Sequence, residues 1–396
     1  MKYFNYLSTE LESETFHLPP SVFTKDSEKD LLAISLGATL YMPGTKGTIS
    51  YDIVNKKHEA LISLVICLED SIGDNQVEIA EVNTIKQIEN IAHAINNGYM
   101  LYEQLPLIFI RIRNPEQMQR IADALNENLN LLTGFVFPKF SYNNGIEYLT
   151  TLKRLNDRYS KMLYGMPILE TKDVLYKELR DESLFKIKAL LDHYYDYILN
   201  VRMGATDLSG LYGLRRSSDT TIYDIAVIRD CIADIINVFG RSEKEYIISG
   251  PVWEYFFNGQ KILKPQLRQY PFERSLGSQG IGVRKELIDQ NVDGLIREVL
   301  LDLTNGLIGK TIIHPTHIKP VQSLHVVSLE EYLDATNIVE SANGNIGVIK
   351  SEFSNKMNEV KPHFNWATKI LNKSKIYGVF HNEHNYTNLF IEQIPV

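Results

Sequence analysis

Apolar residues in this chain gather into eight short runs, each closing on a polar or charged residue, with helical periodicity between most of them. In order the runs are ATLYMPG (38–44), LISLVICLED (61–70), PLIFIRIRN (106–114), GFVFPKF (134–140), LYGMPILET (163–171), YILNVRMGATDL (197–208), EYIISGPVWEY (245–255) and GKTIIHPTH (309–317). Stretches such as VICLE and IFIRI are apolar at successive positions rather than alternate ones, which is how strands buried on both faces read. Between the second and third runs, Ile79, Val82, Ile85, Ile88, Ile91 and Ile95 recur at three- and four-residue steps and predict a helix that Gly98 ends. Pro115 suits the first position of the next helix. The segment 221–240 repeats the pattern and again stops on a glycine. Eight strand–helix units predict an α/β fold, a closed parallel (β/α)8 barrel. In such a barrel the C-terminal strand ends face one common mouth.

The flanks fall outside this alternation. Residues 1–36 form a polar lead, broken at Leu18-Pro19-Pro20, that is expected to pack beneath or beside the barrel. The barrel domain is assigned to 37–344. Residues 345–396 form an appended, mainly helical segment containing KMNEVKPHFNWATKIL, with a break expected near Pro362, and it is expected to pack on the barrel or on a neighbouring subunit. Residues 258–283 lack clear periodicity and predict a long loop, either a lid at the barrel rim or a structural insertion.

Composition narrows the function classes. Of 396 residues, 44% are hydrophobic and 23% charged, ample for a globular core. A net charge of −8 with no Lys/Arg block argues against nucleic acid as the main ligand, because phosphate binding needs a basic footprint. No apolar run approaches a membrane span, and MKYFNYLSTELESETF is unlike a secretory leader. Cys67 and Cys231 are far apart and lack metal-ligand spacing, which fits a reducing cytoplasm.

The strand ends offer Lys46, Glu69, Asp70, Arg111, Arg113, Lys139, Glu170, Asp207 and His314. Glu170 and Asp207 close adjacent strands. Two carboxylates there can bind one Mg²⁺ or Mn²⁺ and leave positions for water and the oxygens of a 2-oxo or 2-hydroxy acid. The residues leave equally open that each caps the following helix. Glu69 and Asp70 are successive, so on a strand only one would face the mouth. Arg111 and Arg113 share parity and are expected on one side, where a substrate carboxylate, a forming enolate oxygen or the nearby acids would satisfy them. Gly44, in the turn Pro43-Gly44-Thr45-Lys46, can present backbone N–H groups to an anion or serve only as a tight connection. Lys139 reads as a salt-bridge partner before a Schiff-base nucleophile. His314 reads as a hydrogen-bonded strand-end residue, and no His-Glu-x-x-His pattern points to zinc.

Taken in order, LYMPGTKG, VICLEDSIGDNQVEIAE, FIRIRNPEQ, VFPKF, PILET, RMGATDLSGLYG, ISGPVWEY and GKTIIHPTHIKPVQSLHVVSLEEYLDA resemble the citrate lyase β-subunit-like and HpcH/HpaI aldolase superfamily over about residues 38–342. The tail with NEVKPHFNWA is similar to the branch called C–C bond lyase of the TIM-barrel fold, associated with tellurite-resistance and stress gene neighbourhoods. The resemblance implies a metal-dependent carbon–carbon lyase with a small acidic substrate. It implies Mg²⁺ on Glu170 and Asp207, substrate binding by Arg111, a role for Glu69 and Asp70, and a homo-oligomer, commonly a trimer or hexamer. This chain departs from the acyl-CoA-cleaving members. Cys67-Leu68-Glu69-Asp70 stands where they carry Asp-Leu-Glu-Asp, and Arg113 stands where they carry Asn. The extra cation suggests a more anionic substrate, a phosphate ester or a second carboxylate. The rival expectation is a metal-binding barrel that does not cleave its ligand and serves as a subunit of a biosynthetic or stress-response assembly.

Overall fold

The computed structural model describes residues 1–256 and 290–391. The chain enters through a short strand, β1 (Phe16–Leu18), and then lays down eight parallel strands. These are β2 (Ala38–Pro43), β3 (Ser63–Cys67), β4 (Leu107–Arg111), β5 (Gly134–Phe137), β6 (Tyr164–Leu169), β7 (Val201–Met203), β8 (Ile248–Trp253) and β9 (Lys310–Ile312). They pair in chain order, and β9 returns to β2 through Ala38 opposite Lys310, closing the barrel. Each of the eight apolar runs contains one barrel strand.

Both faces of the strands are buried, for two reasons. Outward residues such as Leu64, Ile66, Ile108 and Ile110 pack with the surrounding helices. Inward residues such as Val65, Phe109, Val136 and Met166 fill the lumen, where a barrel is a packed core rather than a pore. Helix Pro115–Leu125 starts on Pro115 behind the Asn114 cap, and helix Ala226–Phe239 stops at Gly240, as expected. Helix Val77–Asn96 also forms, but its inner face differs from the predicted one. Ile79 and Val82 are 65% and 67% exposed. The buried stripe runs instead through Ala80, Thr84, Gln87, Ile88 and Ile91, because Gln87 reaches inward to the Ser50 amide at 2.8 Å and hydroxyl at 2.7 Å.

Helix Gln290–Thr304 is tied to the barrel by a buried ionic cluster. Lys310 on β9 donates to Glu298 at 2.9 Å and Asp302 at 2.7 Å, and Arg216 pairs with Glu298. Beyond the barrel, β10 (Val348–Lys350) and β11 (Met357–Glu359) form a hairpin, and β12 (Val379–Phe380) pairs antiparallel with β1. Helix Val360–Tyr377 runs unbroken through Pro362, correcting the expected break. Pro362 sits in the first turn, where its missing N–H has no intrahelical partner to lose. The tail closes the N-terminal end of the barrel together with the lead. Tyr3 donates to the Ser35 carbonyl at 2.8 Å and Tyr377 to the Ile34 carbonyl at 2.7 Å, with the two rings 4.6 Å apart. The loop expected over 258–283 lies outside the described residues. No helix among the described residues is long and apolar enough to cross a membrane.

Candidate active site

Five consecutive strands, β3 to β7, deliver charge to one side of the mouth. β3 ends at Cys67, so Glu69 and Asp70 lie in the turn that follows, where the Ile72 N–H bonds the Glu69 carbonyl at 3.1 Å. The strand alternation has lapsed there, and both carboxylates reach the same two cations, contrary to the one-inward expectation. Arg111 is the last residue of β4. Its Nη2 lies 2.7 Å from Glu69, 3.0 Å from Asp70 and 3.1 Å from Glu170. Its Nε is buried without a hydrogen-bond partner. Lys139, two residues beyond β5, pairs through Nζ with Glu69 and, at 3.2 Å, with Asp70, as its salt-bridge reading anticipated. Lys139 adopts φ +48, the left-handed region that a lysine seldom enters. In that conformation its backbone N–H donates to Glu170 Oε1 at 2.8 Å, while Asn144 holds its carbonyl at 2.9 Å.

Glu170 follows β6 and is buried. Gly204, after β7, makes room for it: a Cβ at 204 would stand 1.9 Å from Glu170 Oε2. The next helix, Ala205–Gly210, carries Asp207 in its first turn, which sets its carboxyl near that of Glu170. Neither acid acts as the helix cap that the sequence left open. Thr171 and Gly204 occupy the cap positions, and Glu170 Oε1 accepts from both Arg111 and the Lys139 amide.

Burial pushes the Glu170 carboxyl up to about 7 against the pull of Arg111, with Asp207 adding to the rise. Asp207 is raised by burial and by the charge of Asp70. Glu69 is raised by burial and by its hydrogen bond with Asp70. Burial would raise Asp70 too, but its bond to Glu69 and the charges of Arg111 and Lys139 hold it below the usual range. Lys139 is held well above the ordinary lysine range by Glu69 despite partial burial, so it is a cation at neutral pH.

Other expected site residues lie elsewhere. Arg113 sits beyond the end of β4. Its Nε donates to the Leu68 carbonyl at 2.9 Å and its Nη1 to Asp74 at 2.9 Å, so it fastens a rim loop and stands apart from the acid cluster. Lys46 is paired with Asp52 at 2.7 Å, one turn along the following helix. Gly44 is a tight connection: its amide bonds the Cys67 carbonyl at 2.9 Å, and a Cβ there would meet Leu68 at 2.5 Å. His314 bonds Thr316 at 2.8 Å and stacks on Phe256 at 4.8 Å, the strand-end role expected of it. Sequence reading missed Gly204, although it stands directly between a strand end and the Asp207 helix. It also missed Arg202, a charge inside an apolar run, and Tyr41.

The donor set fits a divalent cation. Four carboxylates (Glu69, Asp70, Glu170 and Asp207) gather around two cations, and Asp207 lies close enough to Glu170 for its charge to raise the Glu170 carboxyl. Among the described residues no group of three or more metal-ligating side chains is assembled. Two carboxylates with the remaining positions left to water and ligand oxygens is a pattern typical of Mg²⁺.

The family described as C–C bond lyase of the TIM-barrel fold matches residues 30–379. No curated protein matches the sequence. Among solved structures, protein CitE from Mycobacterium tuberculosis, in complex with magnesium, acetoacetate and coenzyme A, is 17% identical. The match covers 86% of this chain and 99% of that one, with a TM-score of 0.50. The citrate lyase β-subunit from M. tuberculosis, complexed with oxaloacetate and magnesium, is 18% identical over 73% of this chain and 96% of that one, TM-score 0.43. Haloferax volcanii malate synthase, as a magnesium/glyoxylate complex, is 10% identical over 84% and 87%, TM-score 0.47. At 17% identity the likeness to CitE speaks to the fold alone.

Proposed function

Because this chain belongs to the C–C bond lyases of the TIM-barrel fold, we propose that it catalyses reversible aldol- or Claisen-type cleavage of a carbon–carbon bond in a 2-oxo or 2-hydroxy acid, with Mg²⁺ held by Glu170 and Asp207. The observation that carries this reading is the pairing of those two carboxyls, both raised above their ordinary range, at the rim of the barrel. When bound, Mg²⁺ supplies Lewis-acid polarisation of the substrate carbonyl and lowers the energy of the enolate that cleavage leaves.

The chain's own residues do the rest. Arg111 and the Lys139 amide fix one Glu170 oxygen, so the carboxylate is oriented before any ligand arrives. The unpartnered Arg111 Nε is a donor available to a substrate carboxylate or to developing negative charge. Glu69, whose carboxyl burial and Asp70 raise, sits beside Arg111 and Lys139 and is placed to exchange a proton with a water or substrate hydroxyl. Lys139 is a paired cation and takes no part as an amine nucleophile.

Mn²⁺ is expected to substitute for Mg²⁺ on an all-oxygen site. The same reading includes a reducing cytoplasm, in keeping with two free, buried cysteines, and self-association, for which exposed Ile79 and Val82 offer apolar surface. Exchange of pyruvate methyl protons in deuterium oxide, followed by NMR, tests the enolate chemistry. We expect exchange that needs Mg²⁺ and is lost in Asp207→Asn. Exchange that persists without metal, or in that variant, contradicts the assignment.

A further inference from the structure

Arg202 lies in the middle of β7, opposite Ile168 of β6 and Ser249 of β8. Its strand neighbours Val201 and Met203 pack outward against the helices, so Arg202 points into the lumen. It is 1% exposed. Every attractive contact it makes is with a neutral group, and the charge of Arg111 opposes its own. Nη2 donates to the Thr311 hydroxyl at 2.6 Å, Nη1 approaches the Met166 sulfur at 3.9 Å, the guanidinium lies 5.8 Å from the Tyr41 ring centre, and Nε has no partner.

The contrast with the other buried cations is sharp. Among the described residues Arg111, Arg180, Arg216 and Lys310 are also buried, and each has a carboxylate within ion-pair distance. Arg202 alone has none. Burying a cation without a counter-charge is costly, and a fold that retains one where any aliphatic residue would pack has kept a position for an anion. Tyr41 does not supply that anion, since burial raises its phenol and opposes ionisation. Arg111 already carries Glu69, Asp70 and Glu170 through Nη2 and keeps only its Nε for the 2-oxo acid end, which leaves a second acid group to another cation.

The guanidinium is also within reach of a ligand. Tyr41 and Thr311, which flank it, are only partly buried, so the side chains that cover it are themselves open to solvent. Arg202 precedes Gly204 by two residues, which places it roughly 7 Å along the strand from the level of Glu170 and Asp207. That is the span of a three- or four-carbon acid.

We propose that Arg202, with Tyr41 and Thr311, forms an anion pocket in the floor of the mouth that receives a second acidic group, carboxylate or phosphate, on the substrate. The proposal rests on the reading of Glu170 and Asp207 as the site for the 2-oxo acid end. It makes the preferred substrate a 2-oxo acid bearing another acid group, and it places the selectivity on Arg202 rather than on Arg113 at the rim.

The test compares pyruvate, oxaloacetate and 3-phosphonopyruvate, which share a 2-oxo acid end and differ only at C3. Affinities are measured by calorimetry in Mg²⁺ for the full chain, Arg202→Met and Arg202→Lys. A charge-assisted contact made only by the second acid group gives the native protein a preference over pyruvate of about tenfold or more. Whichever of the two diacids is favoured identifies the group. The preference should fall to about one in Arg202→Met and be partly kept in Arg202→Lys. Because the substitution removes an uncompensated charge, Arg202→Met should melt no lower than the native protein. No preference in the native protein, or an equal preference in Arg202→Met, overturns the proposal. If no 2-oxo acid binds at all, the Mg²⁺ reading fails, and the pocket is judged on metal-free protein with malonate and inorganic phosphate. Thermal stabilisation by either anion that Arg202→Met abolishes supports it, and no stabilisation by either overturns it.

Discussion

Glu170 occupies the space that a side chain at Gly204 would fill: a Cβ built at 204 falls 2.5 Å from Glu170 Cβ as well as 1.9 Å from its Oε2. The two residues belong to adjacent strand ends, so the closeness of β6 and β7 at the mouth is set by this missing side chain. Gly204 is in an ordinary backbone region at φ −93, which makes the requirement one of space and not of dihedral freedom. Gly204→Ala should therefore fold, lose about 1–3 kcal/mol by overpacking, and displace the carboxylate. Urea unfolding measures the first effect. A Mg²⁺ titration measures the second, as a loss of affinity that Gly210→Ala on the same helix, where a Cβ meets nothing within 4 Å, does not reproduce.

Arg111 is the hub of the acid cluster, and its removal leaves Glu69, Asp70 and Glu170 without their shared cation. Breaking a buried ionic group by deleting one partner typically costs about 3–5 kcal/mol. Arg111→Met should approach that loss in urea unfolding at pH 7, and much of it should return at pH 5, where the acids can take up protons.

The pH dependence of the metal-free protein follows from Glu170. Its carboxyl is raised from 4.5 to about 7, so the folded state binds the proton more tightly than the unfolded chain does. This contribution to stability is complete below pH 4.5 and is lost as pH rises through about 7. The loss is about 3 kcal/mol. Unfolding midpoints between pH 5 and pH 8 should fall for the native sequence, flatten in Glu170→Gln, and recover with Mg²⁺ at neutral pH, where a bound cation replaces the proton.

Lys139 is a fixed cation and should not behave as an amine. Borohydride treatment in the presence of pyruvate should leave the protein unmodified by mass spectrometry. Because Lys139 is half exposed, Lys139→Met should change stability by only about 1 kcal/mol or less.

The closed end of the barrel depends on the tail. Tyr377→Phe removes the hydrogen bond to the Ile34 carbonyl and leaves that acceptor buried, which should cost about 1–3 kcal/mol. Thermal unfolding checks it.

The barrel was legible because each strand is apolar on both faces, a pattern that eight runs repeat and that helices of clear periodicity separate. Glu170, Asp207, Glu69, Asp70, Arg111 and Lys139 could be found because they interrupt those runs where strands end. Arg113 misled because strand parity was extended two residues past Arg111, beyond the end of β4, to where Asn114 caps a helix and the chain has turned. Lys46 is neutralised by Asp52, which only the first turn of the next helix brings back to it. Ile79 and Val82 fit a helical stripe, but the polar Gln87 decides which stripe faces inward. Gly204 and Arg202 escaped for opposite reasons. The glycine acts by what it lacks, and the arginine lies inside a run that was read only for its end.

The central claim is that Glu170 and Asp207 hold a divalent cation on which a 2-oxo acid chelates. Calorimetric titration of the metal-stripped full chain with Mg²⁺, with and without pyruvate or oxaloacetate, in the native sequence and in Asp207→Asn, tests it most directly. The account predicts one Mg²⁺ per chain, bound more tightly in the presence of the oxo acid and lost in the variant. Mg²⁺ binding that is absent from the native protein, or that is equal in Asp207→Asn, would contradict it.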